Sequence, residues 1–125
     1  MVTQLLLVMG GGAVGCGIRF AVPTLFPVAT TSFPWSTLTI NLVGSFILGI
    51  LTGALSHDNV HHRNLYLLLG TGLCGGFTTM SAFSVEVIAL YESSRFLACG
   101  FYVAASTLGC IILAALGLIL ARVAQ

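Results

Sequence analysis

The chain has 125 residues, 58% of them hydrophobic and 6% charged, with a formal net charge of +1, and its mean hydropathy is +1.10. Soluble domains carry about 25% charged residues, so this composition excludes a water-soluble globule. The charged set is Arg19, Arg63, Arg95, Arg122, Asp58, Glu86 and Glu92, with no lysine, which leaves no basic patch for nucleic acid or for anionic lipid headgroups. At this length, spans of about 20 residues with short connections consume nearly all of the chain after four passes, and no separate soluble catalytic or sensory domain fits.

The opening MVTQLLLVMGGG lacks a basic n-region, and its apolar stretch runs past any small-residue cleavage site. It reads as a first span rather than a removable signal peptide. Loops must lie outside hydrocarbon, because an unpaired backbone group there costs several kcal/mol, so the polar clusters punctuate one membrane domain, 1–125, into four predicted spans. Span one covers 3–26 and ends near Pro23 and Pro27. The connection VATTSFPWS follows, with Pro34 and Trp35 placed as a helix start and an interfacial aromatic. Span two covers 36–55 and is closed by SHDNVHHRN, the most polar piece of the chain. Span three covers 65–91, YESSR turns the chain, and span four covers 96–123. Within span three, GTGLCGGFTT packs four glycines and three threonines into ten residues. That is poor helix material and predicts a break near 73–79, whose freed carbonyls are tolerated at membrane depth only when buried in protein, facing water or holding an ion. The pairs Gly11/Gly15, Gly49/Gly53 and Gly72/Gly76 have the spacing that lets helix backbones approach closely.

Four spans place Arg63 and Arg122 on one side and Arg95 with Arg19 on the other, a tally of two against two. An excess of Lys and Arg normally sets orientation. A chain without that bias inserts both ways, and two copies of opposite orientation can pair around a two-fold axis in the membrane plane. The expected architecture is an all-α membrane protein with four transmembrane helices, the third broken mid-membrane, assembled as an antiparallel dual-topology homodimer.

Polar side chains inside spans are expensive and mark function. Asn41 shares a helix face with Thr37 and Ser45; a helix–helix hydrogen bond and a pore-lining role both stay open for it. Tyr102, Ser106 and Cys110 recur at i, i+4 and i+8, and Thr79, Met80, Phe83 and Ser84 fall on neighbouring turns past the break. Thr37, Thr79 and Ser84 count as candidate pore-lining hydroxyls. These stripes carry donors without a fixed cation, which can replace the hydration shell of a small anion without holding it too tightly for passage. A ring edge, as on Phe83, is positive and can face an anion too. Glu86 stays open between a proton carrier, a pore-mouth group and a snorkelling carboxylate, and Arg19 between attracting anions to an opening and anchoring at the interface. His57, His61 and His62 with Asp58 have partial metal-ligand spacing, but solvated histidines are the commoner outcome in such a loop. Cys16, Cys74, Cys99 and Cys110 sit in apolar runs without a C-x-x-C pair and read as small buried hydrophobes.

The segments GGGAVGCGIRF (Gly10 to Phe20), STLTINLVGSFILG (Ser36 to Gly49) and GTGLCGGFTTMSAFSVE (Gly70 to Glu86) resemble, in order and spacing, the signature blocks of the Fluc/CrcB fluoride channels, over essentially the full chain. The resemblance implies an antiparallel dimer in a bacterial inner membrane that exports cytoplasmic fluoride passively through two pores and rejects chloride. It implies that the Asn41 amide donates to the ion, that Phe83 is the second ring of a phenylalanine box, and that Tyr102, Ser106 and Cys110 form a polar track. Arg19 and Glu86 then lie near the vestibule and pore ends, and a structural Na+ at the dimer centre is held by main-chain carbonyls of Gly75 and Thr78 from both chains. Two positions depart from the family pattern: Met80 stands where the first box phenylalanine is expected, and Cys110 replaces a hydroxyl with a weak thiol donor. The alternative is a proton-coupled exporter like the small multidrug resistance transporters, which share size and span count; those need a carboxylate midway along span one, so Glu86 would have to serve. An enzyme is disfavoured, since there is no nucleophile with a base, no H-E-x-x-H and no carboxylate pair at catalytic spacing.

Overall fold

The computed structural model describes residues 1–25, 33–55 and 59–125, and their regular structure is helical throughout. In hydrocarbon every backbone N–H and C=O must pair within its own segment, which makes a long apolar run helical almost regardless of intrinsic propensity. Helix α1 covers Val2–Leu25 and keeps Pro23 inside its last turn, where only one backbone bond is forfeited. Phe26, Pro27, His57 and Asp58 lie outside the described residues. Helix α2 covers Trp35–Ala54 with Pro34 at its N-cap, one residue from the predicted start. The last helix, α6, covers Phe96–Val123, as predicted.

Span three differs from expectation in two ways. Its helix starts at Val60 rather than 65, because the Asn59 side chain accepts the His61 N–H at 2.8 Å. This N-cap satisfies an orphan donor and draws the polar VHHRN segment into α3 (Val60–Tyr66). The chain then winds as a π-helix over Leu67–Cys74 and as a short α4 over Gly75–Phe77. The break is therefore confined to Thr78 and Thr79, both extended, instead of spreading over 73–79, and α5 resumes at Met80–Glu92. The glycines keep their helical path because α1 is pressed against them. A Cβ added at Gly72 would lie 2.9 Å from the Val8 carbonyl oxygen and 3.0 Å from Gly11 Cα, so here glycine serves close approach rather than interruption.

Helix α2 packs along α6, while α1 packs on the π-helical stretch and α4. Between α2, α5 and α6, Leu38, Leu90 and Tyr102 form a buried cluster bordered by Phe33, Leu42, Phe83 and Val87. Large apolar side chains such as Leu5, Leu6, Phe101, Ile111 and Ile119 face outward, the reverse of a water-soluble pattern. Among the described residues, four helical segments are long and apolar enough to cross a membrane, and the protein is a multi-pass membrane protein.

The α2–α6 contact makes a test of close packing. A Cβ at Gly117 would meet the Phe46 carbonyl oxygen and lie 2.9 Å from the Ile50 nitrogen, whereas one at Gly100, on the same helix, has nothing within 4 Å. Gly117→Ala is expected to cost about 1–3 kcal/mol in detergent unfolding, and Gly100→Ala nothing. The opposite ranking would remove the close-approach account of this helix pair.

Candidate ion pathway

A helix interrupted at membrane depth must find new partners for the backbone groups it releases. In an unbroken helix the Thr79 N–H would reach the Gly75 carbonyl; here it donates to Asn41 Oδ1 at 2.8 Å. Asn41 Nδ2 in turn donates to the Thr79 carbonyl at 3.1 Å. The side-chain amide thus pairs with a peptide unit as a neighbouring strand would, and Asn41 and Thr79 are each only 9% exposed. A carboxamide has two N–H donors, so one remains for another partner.

The break is also held from α1. Arg19 Nη1 donates to the Thr78 carbonyl at 3.3 Å, and Nη2 reaches Cys16 Sγ at 3.7 Å. Arg19 thus turns toward the break rather than anchoring at a membrane face. Removing it from the end-to-end tally leaves Arg63 and Arg122 against Arg95.

Beside the break lies a cavity of about 350 Å³, lined among others by Asn41, Thr79, Met80, Phe83, Ser106 and Cys110. Residues far apart in sequence, from α2, α5 and α6, converge there. Ser106 is 6% exposed and its hydroxyl has no hydrogen-bond partner among the described residues. Met80 is 72% exposed, on the open side, and Cys110 is half-buried.

One turn along α6 from Ser106, Tyr102 is wholly buried. Its hydroxyl donates to Glu86 Oε2 at 2.6 Å, and Thr37 Oγ1 donates to Glu86 Oε1 at 2.7 Å. The Phe83 ring lies 5.1 Å from the Tyr102 ring, and Phe33 meets Tyr102 edge-on at 5.5 Å, a favourable aromatic geometry. Beyond this plug is a second cavity of about 270 Å³ lined by Phe33, Glu86, Ser93 and Arg95 with neighbouring residues. Glu86 therefore sits between helices with both oxygens engaged, not snorkelling to the surface.

The candidate hydroxyls divide accordingly. Thr37 and Tyr102 are committed to Glu86; the Thr79 hydroxyl caps the Ala82 N–H at 3.2 Å; the Ser84 hydroxyl donates back to the Met80 carbonyl at 2.9 Å and Ser84 is outside the cavity lining. The Ser106 hydroxyl and the second Asn41 N–H are left as open donors on residues lining the first cavity, which Ser45 lines as well. Sequence reasoning missed Phe33 and Arg95 as walls of the second cavity; the aromatic doublet around Pro34 and the cation opening α6 were the available signals.

The family model described as "CrcB-like protein, Camphor Resistance (CrcB)" matches residues 6–118. The chain belongs to the CrcB family. It is 44% identical over 120 residues to the "Fluoride-specific ion channel FluC" of Chelativorans sp. (strain BNC1), covering 95% of this chain and 96% of that one. The protein of the same description from Sphingopyxis alaskensis is 40% identical over 116 residues, with 92% of each chain covered, and that of Chlorobium phaeobacteroides is 37% identical over 118 residues, covering 94% and 92%. CrcB membership speaks against the exporter alternative, and both oxygens of its would-be carrier, Glu86, are occupied by hydroxyl donors.

If Asn41 holds the break, Asn41→Ala leaves the Thr79 N–H and C=O unpaired at about 1–3 kcal/mol per buried group. Ser106→Ala removes a hydroxyl that has no partner and is expected to cost far less. Equal losses in SDS-driven unfolding would show that the break is held by something else.

Proposed function

We propose that the chain forms a fluoride-selective channel, letting cytoplasmic fluoride run down its own gradient through a bacterial plasma membrane while rejecting chloride. The observation that carries this reading is the cavity at the helix break, where open N–H and O–H donors converge without a charged side chain among the described lining residues. Such donors substitute for a small anion's hydration shell, and the absence of a fixed cation lets the ion leave again. Family membership and relatives described as fluoride-specific ion channels support the choice of ion. No bond is made or broken, so the protein is a conduit and not an enzyme.

In this reading the anion sheds water to the second Asn41 N–H and the Ser106 hydroxyl and passes between Met80 and Phe83. It then meets Tyr102 and Thr37, whose hydroxyls serve it only by turning from Glu86. Arg19 lends positive potential from its seat on the Thr78 carbonyl without lining the cavity. Thr79 positions the path through its backbone, and Cys110 contributes only a weak thiol donor.

An antiparallel homodimer with two pores completes the proposal. It is supported by the small Arg imbalance between the two ends, and by broad apolar surfaces on α1, α5 and α6. A structural Na+ between the two copies fits the break: the Gly75 carbonyl has lost the Thr79 N–H to Asn41, and the Thr78 carbonyl lies in extended chain. Unwound carbonyls of this kind suit Na+, which would tie the copies together electrostatically. Thr78 keeps a second lone pair beside its bond from Arg19.

Passive efflux from liposomes loaded with fluoride or chloride, with a potassium ionophore clamping the voltage, tests the reading. Fluoride is expected to leave quickly while chloride stays, and Met80→Phe, which restores a ring edge to the path, is expected to raise the fluoride rate several-fold. Equal loss of both anions, or silence in both proteins, would refute the channel.

A further inference from the structure

We propose that the cavity beside the break is also a soft-metal site, binding one monovalent ion of the Cu(I)/Ag(I) class between the Cys110 sulfur and the Met80 thioether. Met80 opens α5 and Cys110 lies midway along α6, yet both line the same volume of about 350 Å³. Among the described residues no side chain in that lining is charged, so none of them competes for a hard cation. Thiolate and thioether are the ligand types that select soft ions. Met80 is 72% exposed and has three rotatable bonds, so its sulfur can adjust to a donor fixed on the opposite helix.

Cysteine in an apolar span is usually only a small hydrophobe. Here a second feature marks a polar spot in the same wall: Ser106, a lining residue only 6% exposed, keeps a hydroxyl without a partner among the described residues. Ser106 lies one turn before Cys110 on the same face, so the unpartnered hydroxyl and the thiol belong to one wall of the cavity. On binding, the Cys110 S–H bond breaks, an S–Ag bond forms and the proton leaves to water. A unit positive charge replaces a unit positive charge, so the low-dielectric site gains no net charge, which would be costly, and no oxidation is involved. The bound ion would stand beside Asn41 and Phe83, across the proposed anion path; only this blocking consequence rests on the channel reading.

Full-length protein in detergent, in nitrate salts and carrying Cys16→Ser to remove the exposed thiol, is titrated with Ag+; the metal retained after gel filtration is counted. Cys74 and Cys99 are common to every variant, so differences report the cavity. The parent is expected to retain one Ag+ per chain more than the Cys110→Ser variant, and Met80→Leu to weaken that ion's affinity at least about tenfold, as loss of a ligand requires. Equal retention after Cys110→Ser, or an unshifted affinity in Met80→Leu, overturns the site. In liposomes, Ag+ is expected to stop fluoride efflux in the parent but not in Cys110→Ser, each read against its own metal-free rate. A parent that retains the extra Ag+ but never passes fluoride would sink the channel reading and leave the metal site standing.

Discussion

The pairing of the Asn41 carboxamide with the Thr79 peptide is the constraint from which the rest of the site follows. A two-residue interruption in a membrane helix releases backbone donors and acceptors that lipid cannot satisfy. Asn41 takes up one N–H and one C=O of the same residue at 2.8 and 3.1 Å, which fixes both how far the break extends and where α5 restarts. Because α2 supplies that side chain and packs along α6, the cavity's two far walls are set by the same contact. Because α1 supplies Arg19 to the adjacent Thr78 carbonyl, the break is held between two helices that scarcely touch each other.

A consequence is that hydrogen-bonding capacity is divided. Most polar groups near the cavity hold the protein together: Thr79 caps α5, Ser84 bonds back along its own helix, and Thr37 and Tyr102 hold Glu86. Few donors are left over, and these face the cavity. Fixed donors on rigid helices cost no reorganisation when an ion arrives, and their sparsity keeps that ion from being held.

How much of this was legible in the sequence depended on what each feature rests on. Spans two and four were readable nearly to the residue because Pro34 and Arg95 mark where apolar blocks begin. The stripes Thr37/Asn41 and Tyr102/Ser106/Cys110 were readable because helical periodicity alone puts such residues on one face. The extent of the break was not, because propensity marks every glycine in 70–76 as helix-poor while contact with Gly11 and Gly12 keeps that stretch wound. Nor was the early start at Val60, which hangs on a single side-chain cap from Asn59. The Asn41–Thr79 pairing joins positions 38 apart, and no local pattern announces it. Ser84 looked equivalent to Ser106 by composition; what separates them is that a serine hydroxyl near an available i−4 carbonyl bonds to it, while Ser106 does not.

Charge is handled by the same economy. Arg19 and Glu86 both turn inward, and each is engaged by neutral groups, a carbonyl and a thiol for one and two hydroxyls for the other. Neither lines the first cavity. In a medium of low dielectric a unit charge projects its potential much farther than in water, so a charge held just outside the lining raises or lowers the energy of an ion inside without becoming its ligand. In the proposed anion path, Arg19 on one flank and an ionised Glu86 on the other would impose a gradient, favourable to an anion at the break and unfavourable toward Tyr102. The neutral donors between them would supply contact, and the flanking charges the slope against which that contact must be weak enough to release.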